Sequence, residues 1–203
     1  MFTGIIEEIG HIRKILKEGE NIHFYVEANF TPQLKIDQSV AHNGVCLTVV
    51  EISDYIYKVT AIQETLDKTS LGQLELDAPV NLERGMKMNA HLDGHIVQGH
   101  VDQTATCIHR EEKDGSWIFT FEYNPQQQNV TIEKGSITIN GVSLTVVNSQ
   151  INQFSVAIIP FTYEHTTFKT LEKGHTVNLE FDVIGKYVKR LMELQEYNKN
   201  NQA

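Results

Sequence analysis

The chain repeats itself. Asn43-Gly44-Val45-Cys46-Leu47-Thr48-Val49-Val50 stands 97 residues before Asn140-Gly141-Val142-Ser143-Leu144-Thr145-Val146-Val147, and seven of the eight residues agree. The same offset carries Val80-Asn81-Leu82-Glu83 onto Val177-Asn178-Leu179-Glu180, while Ala61-Ile62 aligns with Ala157-Ile158 at 96 and Gly4 with Gly99 at 95. Separated blocks in one order and at nearly one spacing point to an internal duplication. The 203 residues then hold two copies of a unit of about 95 residues, small but able to bury a core.

Each copy reads as about six short strands. Ile22, Phe24 and Val26 alternate with His23 and Tyr25, and Trp117, Phe119 and Phe121 alternate with Ile118, Thr120 and Glu122. Asn43-Gly44 and Asn140-Gly141 are hairpin turns, because both residue types tolerate positive φ. A small antiparallel sheet with this many turns hides its edges best by closing into a barrel, so the expected class is all-β with two tandem barrels. The polar stretches 65–70 and 163–168 read as one short helix each. After Gly185, the residues Tyr187, Val188, Leu191, Met192 and Leu194 fall at helical spacing between Lys189, Arg190, Glu193 and Glu196. Such a terminal helix packs by default on its own barrel, and otherwise on copies of itself.

Composition narrows the function. A formal net charge of −9 and a pI of about 5.4 deny the chain the positive field that nucleic acid requires. No apolar run approaches the roughly 20 residues that span a bilayer, and Met1-Phe2-Thr3-Gly4 enters a strand pattern directly, so no membrane partner and a cytoplasmic location are expected. Cys46 and Cys107 are too few for a disulfide framework or a thiol-rich metal site. His91, His95 and His100 lack Cys or carboxylate partners at ligand spacing, and no metal is expected.

Equivalent positions of the copies can be compared directly. Cys46 stands against Ser143, Ile5 against His100, and Gly85 against Asp182, while Thr48 and Thr145 agree. Each residue alone has a structural reading: a buried thiol, strand hydroxyls, a sheet histidine, and Asp182 as cap of the last helix.

Taken together, four blocks closely resemble the riboflavin synthase family over essentially the whole chain. They are Met1-Phe2-Thr3-Gly4-Ile5-Ile6, Ser39-Val40-Ala41-His42-Asn43-Gly44-Val45-Cys46-Leu47-Thr48, Gly94-His95-Ile96-Val97-Gln98-Gly99-His100-Val101-Asp102, and Ile139-Asn140-Gly141-Val142-Ser143-Leu144-Thr145. The resemblance implies two six-stranded Greek-key barrels, at 1–97 and 98–184 (to about 194 with the start of the helix), and a trimerisation helix and tail at 185–203. It implies a homotrimer whose active site forms where the first barrel of one subunit faces the second barrel of its neighbour. The implied reaction is the cofactor-free dismutation of two 6,7-dimethyl-8-ribityllumazine molecules to riboflavin and 5-amino-6-(D-ribitylamino)uracil, and association with lumazine synthase stays open.

By the family's motif positions, the substrate in the first copy meets Gly4, Ile5, Ile6, Cys46, Leu47, Thr48, Thr60, Ala61, Ile62, Gln63, Glu64 and Thr65. In the second it meets Gly99, His100, Val101, Lys134, Ser143, Leu144, Thr145, Ala157, Ile158, Ile159, Pro160, Phe161 and Thr162. Cys46, His100, Ser143, Thr145 and Asp182 are the implied catalytic groups: His100 and Thr145 move protons, Ser143 with Asp182 assists deprotonation or water activation, and Cys46 lies against the partner ring. Phe161 departs from the acidic or histidine residue usual at its position. Antenna proteins on the same fold hold a lumazine or flavin without chemistry, but those relatives have generally lost the Cys and His equivalents that this chain keeps.

Overall fold

The computed structural model describes residues 1–200, so the last three residues of the expected 185–203 segment lie outside the described residues. The strands are β1 (Glu8–Glu18), β2 (Asn21–Glu27), β3 (Ser39–His42), β4 (Val45–Ser53), β5 (Ile56–Ala61) and β6 (Pro79–Arg84), then β7 (Gln103–Lys113), β8 (Ser116–Tyr123), β9 (Ser136–Ile139), β10 (Val142–Val147), β11 (Gln153–Ile158) and β12 (Thr176–Phe181). They close into two antiparallel barrels with neighbour orders β1-β2-β5-β4-β3-β6 and β7-β8-β11-β10-β9-β12, the same order twice. One irregularity repeats too: the β1 register shifts between Ile12 and Lys14, and the β7 register between Cys107 and His109. Closure leaves no open sheet edge.

The first core holds Ile12, Phe24, Val26, Val49, Tyr57 and Val59, and the second Cys107, Phe119, Phe121, Val146, Phe154 and Val156. The ladders correct one alignment. Phe24 pairs with Val59 and Ile22 with Ala61, while Phe119 pairs with Val156 and Trp117 with Ile158. Ala61 is therefore the equivalent of Ile158, at 97 and not 96, and both are fully buried while Ala157 is exposed. A slip of one residue turns every side chain of a strand to the opposite face, so the identical Ala-Ile pairs mislead.

Two short helices follow β5 and β11: α1 (Gln63–Lys68) and α2 (Pro160–His165), starting two and three residues before the expected stretches. Pro160 occupies the first helical turn, where its missing N–H costs nothing. The last helix, α3 (Val183–Asn200), begins earlier than expected because Asp182 Oδ1 accepts the Ile184 N–H at 2.9 Å. It does not pack back on its barrel: Tyr187, Val188, Leu191, Met192 and Leu194 are all exposed, and the helix is tied down by Lys186 to Asp102 at 2.7 Å and Lys189 to the Gln127 carbonyl at 3.3 Å.

A symmetric asparagine network joins the barrels. Asn43-Gly44 and Asn140-Gly141 adopt φ of 45° and 80°, and 46° and 82°, the pattern of a type I′ hairpin. The turns meet back to back, so close that a Cβ on either glycine would stand 2.8 Å from the other's backbone nitrogen. Each Asn side-chain oxygen accepts an N–H from its own barrel: Asn81 N to Asn43 Oδ1 at 2.9 Å and Asn178 N to Asn140 Oδ1 at 2.8 Å. The other two asparagines cross over, Asn81 Nδ2 donating to the Asn140 carbonyl and Asn178 Nδ2 to the Asn43 carbonyl, both at 2.9 Å. Their oxygens accept Thr167 N at 2.8 Å and Ser70 N at 2.7 Å, also across the boundary. Replacing Asn178 by Ala strands a buried N–H and a buried carbonyl, a loss of about 2–5 kcal/mol. The midpoint of thermal unfolding should fall by roughly 5–15 °C, and Asn81→Ala should match it.

One buried polar pair belongs to the first core alone. His42 Nε2 lies 2.8 Å from Tyr57 Oη inside the first barrel, where the second has Ile139 and Phe154. Burial lowers the His42 pKa to about 4 and pushes the Tyr57 phenol well up. Below pH 6.5 the unfolded chain takes up a proton that the folded chain refuses until about pH 4, so stability falls as pH drops through that window. His42→Ile with Tyr57→Phe, which copies the second core, should remove about 3 kcal/mol of the stability loss between pH 7 and pH 4, as read by urea unfolding.

Candidate active site

Two buried carboxylates build the site twice. At the end of β6, Glu83 accepts the N–H groups of Thr3 and Gly4 at 2.6 and 2.9 Å and the Thr3 hydroxyl at 2.8 Å. At the end of β12, Glu180 accepts the N–H groups of Gln98, Gly99 and His100 at 2.6, 2.8 and 2.9 Å. Burial pushes both carboxyls up, and these donors pull them back.

The two loops so held exchange partners. The Gly4 carbonyl accepts the Ser143 N–H at 2.8 Å, and the Gly99 carbonyl accepts the Cys46 N–H at 2.9 Å. Phe2 and Val97 link the loops as an isolated antiparallel bridge, with N–H to carbonyl distances of 2.7 and 3.1 Å. Gly4 and Gly99, at φ of 78° and 79°, have no room for a side chain: a Cβ would meet the Ser143 or Cys46 Cβ at 2.6 Å. The first-copy loop thus lies on β10 of the second barrel, and Ile6 packs on the second core; the second-copy loop lies on β4, and Val101 packs on the first.

Grouping by copy therefore separates residues that the structure joins. His100 belongs with Cys46, Leu47 and Thr48, and Ile5 with Ser143, Leu144 and Thr145. In the first group Cys46 is half-buried against Phe2, Ala41 and Val97, while Thr48 and His100 are exposed. In the second, Ser143 Oγ lies 2.7 Å from His95 Nδ1, and His95 Nε2 lies 3.1 Å from Thr138 Oγ1. Burial lowers the His95 pKa, and the charge of Asp182 partly offsets it, so the imidazole is neutral at pH 7 and stands within electrostatic reach of Asp182. Asp182 also caps α3.

His95 is the residue that comparing copies overlooks. At this loop's offset of 95 its counterpart falls at position 0, outside the 203 residues, so the repeat has nothing to set it against. The signal present was Gly94-His95: a Cβ on Gly94 would meet the Thr3 carbonyl at 2.0 Å and Ser143 Oγ at 3.1 Å. Among the described residues no three His, Cys, Asp or Glu side chains share a metal-sized space. No helix of the described residues is long and apolar enough to cross a membrane.

The outer rims follow from β5 and β11. Thr60 is half-buried and Ala61 buried; Ile62, Gln63 and Glu64 are exposed and Thr65 half-buried at the start of α1. Ala157, Ile159, Pro160 and Phe161 are exposed, with Ile158 buried and Thr162 half-buried, at the start of α2. Lys134 is exposed in a left-handed turn before β9. Both rims are open surfaces. A cleft of about 560 Å³ lies instead between the barrels, lined by pairs such as Ser70 with Thr167 and Leu74 with Leu171, and reaches neither Cys46 nor Ser143.

The model of the lumazine binding domain family matches residues 3–85 and again 98–182. Riboflavin synthase of Actinobacillus pleuropneumoniae is 42% identical over 95% of this chain and 90% of its own length. Riboflavin synthase of Bacillus amyloliquefaciens is 39% identical over 100% and 95%. Among solved structures, LumP complexed with riboflavin superposes with a TM-score of 0.83 at 25% identity, over 90% of this chain and 100% of that one. LumP complexed with 6,7-dimethyl-8-(1'-D-ribityl) lumazine gives 0.80 at 24%, over 90% and 99%. With both repeats matched and full-length relatives above 30% identity, the chain belongs to the riboflavin synthase family.

Proposed function

We propose that the chain is a riboflavin synthase, which transfers a four-carbon unit between two molecules of 6,7-dimethyl-8-ribityllumazine to give riboflavin and 5-amino-6-(D-ribitylamino)uracil. The observation that carries this reading is the doubled cradle with unlike chemistry. One backbone arrangement presents Cys46, Thr48 and His100 in one place and Ser143, Thr145, His95 and Asp182 in the other. Two identical substrates need two similar sites, and unlike roles need unlike groups.

One lumazine must lose a proton from its C7 methyl, and the other must accept the resulting carbon nucleophile. Neutral His95, 2.7 Å from Ser143, takes the hydroxyl proton, and Asp182 stabilises the imidazolium that forms. Ser143 Oγ, with Thr145 beside it, then faces the methyl or an attacking water. Cys46 and His100 bound the acceptor ring in the first site. Holding both rings face to face supplies a proximity contribution that reaches about 7–11 kcal/mol. The carbon exchange is between like molecules, so the stoichiometry calls for no cofactor.

A monomer leaves both rims open, and the exposed apolar residues of α3 offer the means to close them. The reading adopted is a cytoplasmic homotrimer joined through α3, with each first barrel facing a neighbour's second. The test is to mix the purified protein with 6,7-dimethyl-8-ribityllumazine alone and follow riboflavin absorbance. One riboflavin for every two lumazines consumed is expected; tight binding without turnover would make the chain a carrier.

A further inference from the structure

Glu83 recurs as Glu180 in the duplicated Val-Asn-Leu-Glu block, and both are buried. Glu83 Oε1 accepts the N–H and the hydroxyl of Thr3, and Oε2 accepts the Gly4 N–H. The carbonyls of the same two residues lead on to the Ser143 site. The Thr3 carbonyl accepts the His95 N–H at 3.1 Å, and the Gly4 carbonyl accepts the Ser143 N–H at 2.8 Å. One carboxylate of the first barrel thus fixes, through two adjacent residues, the backbones of both members of a pair whose side chains meet at 2.7 Å. Through Glu180 the connection runs the other way, from the second barrel by the Gly99 carbonyl to the Cys46 N–H at 2.9 Å.

Resting on the reading that Ser143 and His95 move a proton, we propose that Glu83 is a positioning residue for that pair, and that each buried glutamate governs the site in the barrel it does not belong to. Proton transfer requires Oγ and Nδ1 within hydrogen-bond reach, and small displacements at this range are felt strongly in the rate. Both Glu83 oxygens act as acceptors. A glutamine of the same shape brings an NH2 to one of these places, and an N–H of the loop is left facing a donor. The disturbance passes through Thr3 and Gly4 to His95 and Ser143. Cys46 is spared, because its N–H answers to Glu180, and Phe2, which covers it, keeps both bonds of its bridge to Val97.

The experiment joins steady-state kinetics on 6,7-dimethyl-8-ribityllumazine to two local reporters in the full chain. One is the His95 titration, followed by NMR of histidine-labelled protein. The other is alkylation of Cys46 by N-ethylmaleimide, with fully buried Cys107 inert unless the chain unfolds. Glu83→Gln should lower kcat by about 10- to 100-fold and change KM by less than about threefold. The His95 pKa, lowered by burial, should rise as the ring gains water, while Cys46 alkylation stays within about twofold. Glu180→Gln should do the converse, quickening Cys46 alkylation and leaving the His95 titration in place. Thr3→Val removes one donor from Glu83 and keeps the carboxylate; it should move kcat and the His95 pKa the same way to a smaller extent, and it replaces Glu83→Gln if that variant does not fold. An unchanged kcat, a kcat loss with the His95 titration unmoved, or Cys46 alkylation quickened as much as by Glu180→Gln would overturn the proposal. Wild-type protein that formed no riboflavin would fell the reading of proton transfer, and the His95 titration would still decide whether Glu83 holds the pair.

Discussion

Asn81 and Asn178 each send a side-chain N–H across the barrel boundary to the carbonyl of a hairpin asparagine, and the rest of the molecule takes its geometry from that exchange. All four asparagines are buried, so each of these groups must find its partner within the protein. The hairpins can approach because Gly44 and Gly141 bring no side chain to the contact. With the barrels locked in that relation, the loops held by Glu83 and Glu180 reach across, and each barrel receives its cover from the other copy. Neither site is the property of one repeat.

That exchange also bears on how the chemistry could diverge. In a tandem copy every position is free to drift, yet both β10 and β4 must keep a backbone N–H under a glycine carbonyl, which preserves the cradle while the side chains change. Cys46 and Ser143 occupy the same point of that cradle, one against apolar neighbours and the other against His95. The surroundings make the difference: a hydroxyl beside a neutral, half-buried imidazole can move a proton, whereas the Cys46 thiol packs among Phe2, Ala41 and Val97.

The repeat, the strand count and the hairpin turns were legible in the sequence because they rest on local rules: alternation, Asn-Gly chemistry and block identity. The long-range consequences were not. The Ala61-Ile62 match failed by one residue because identity of letters carries no information about which face a strand buries. The pairing of His100 with Cys46 required knowing that loops swap, which no periodicity reports. His95 was invisible to comparison of the copies because its counterpart falls outside the 203 residues. The α3 helix starts at Val183 and not after Gly185 because Asp182 caps it, a contact whose capacity was visible but whose use was not.

The claim that most needs testing is that a working site joins two subunits. Thr48 and Thr145 are exposed equivalents beside the two cradles, so Thr48→Arg and Thr145→Arg each fill one barrel's site without entering a core. The two variants, carrying different tags, are co-expressed, and the heteromer is isolated by both tags in succession. The account predicts that each variant alone is nearly inactive, and that the heteromer recovers about a third of the wild-type rate, since in a ring of three that contains both variants one of the three interfaces joins an intact first barrel to an intact second. A pure heteromer as inactive as its parents would contradict it and place the whole site within one chain.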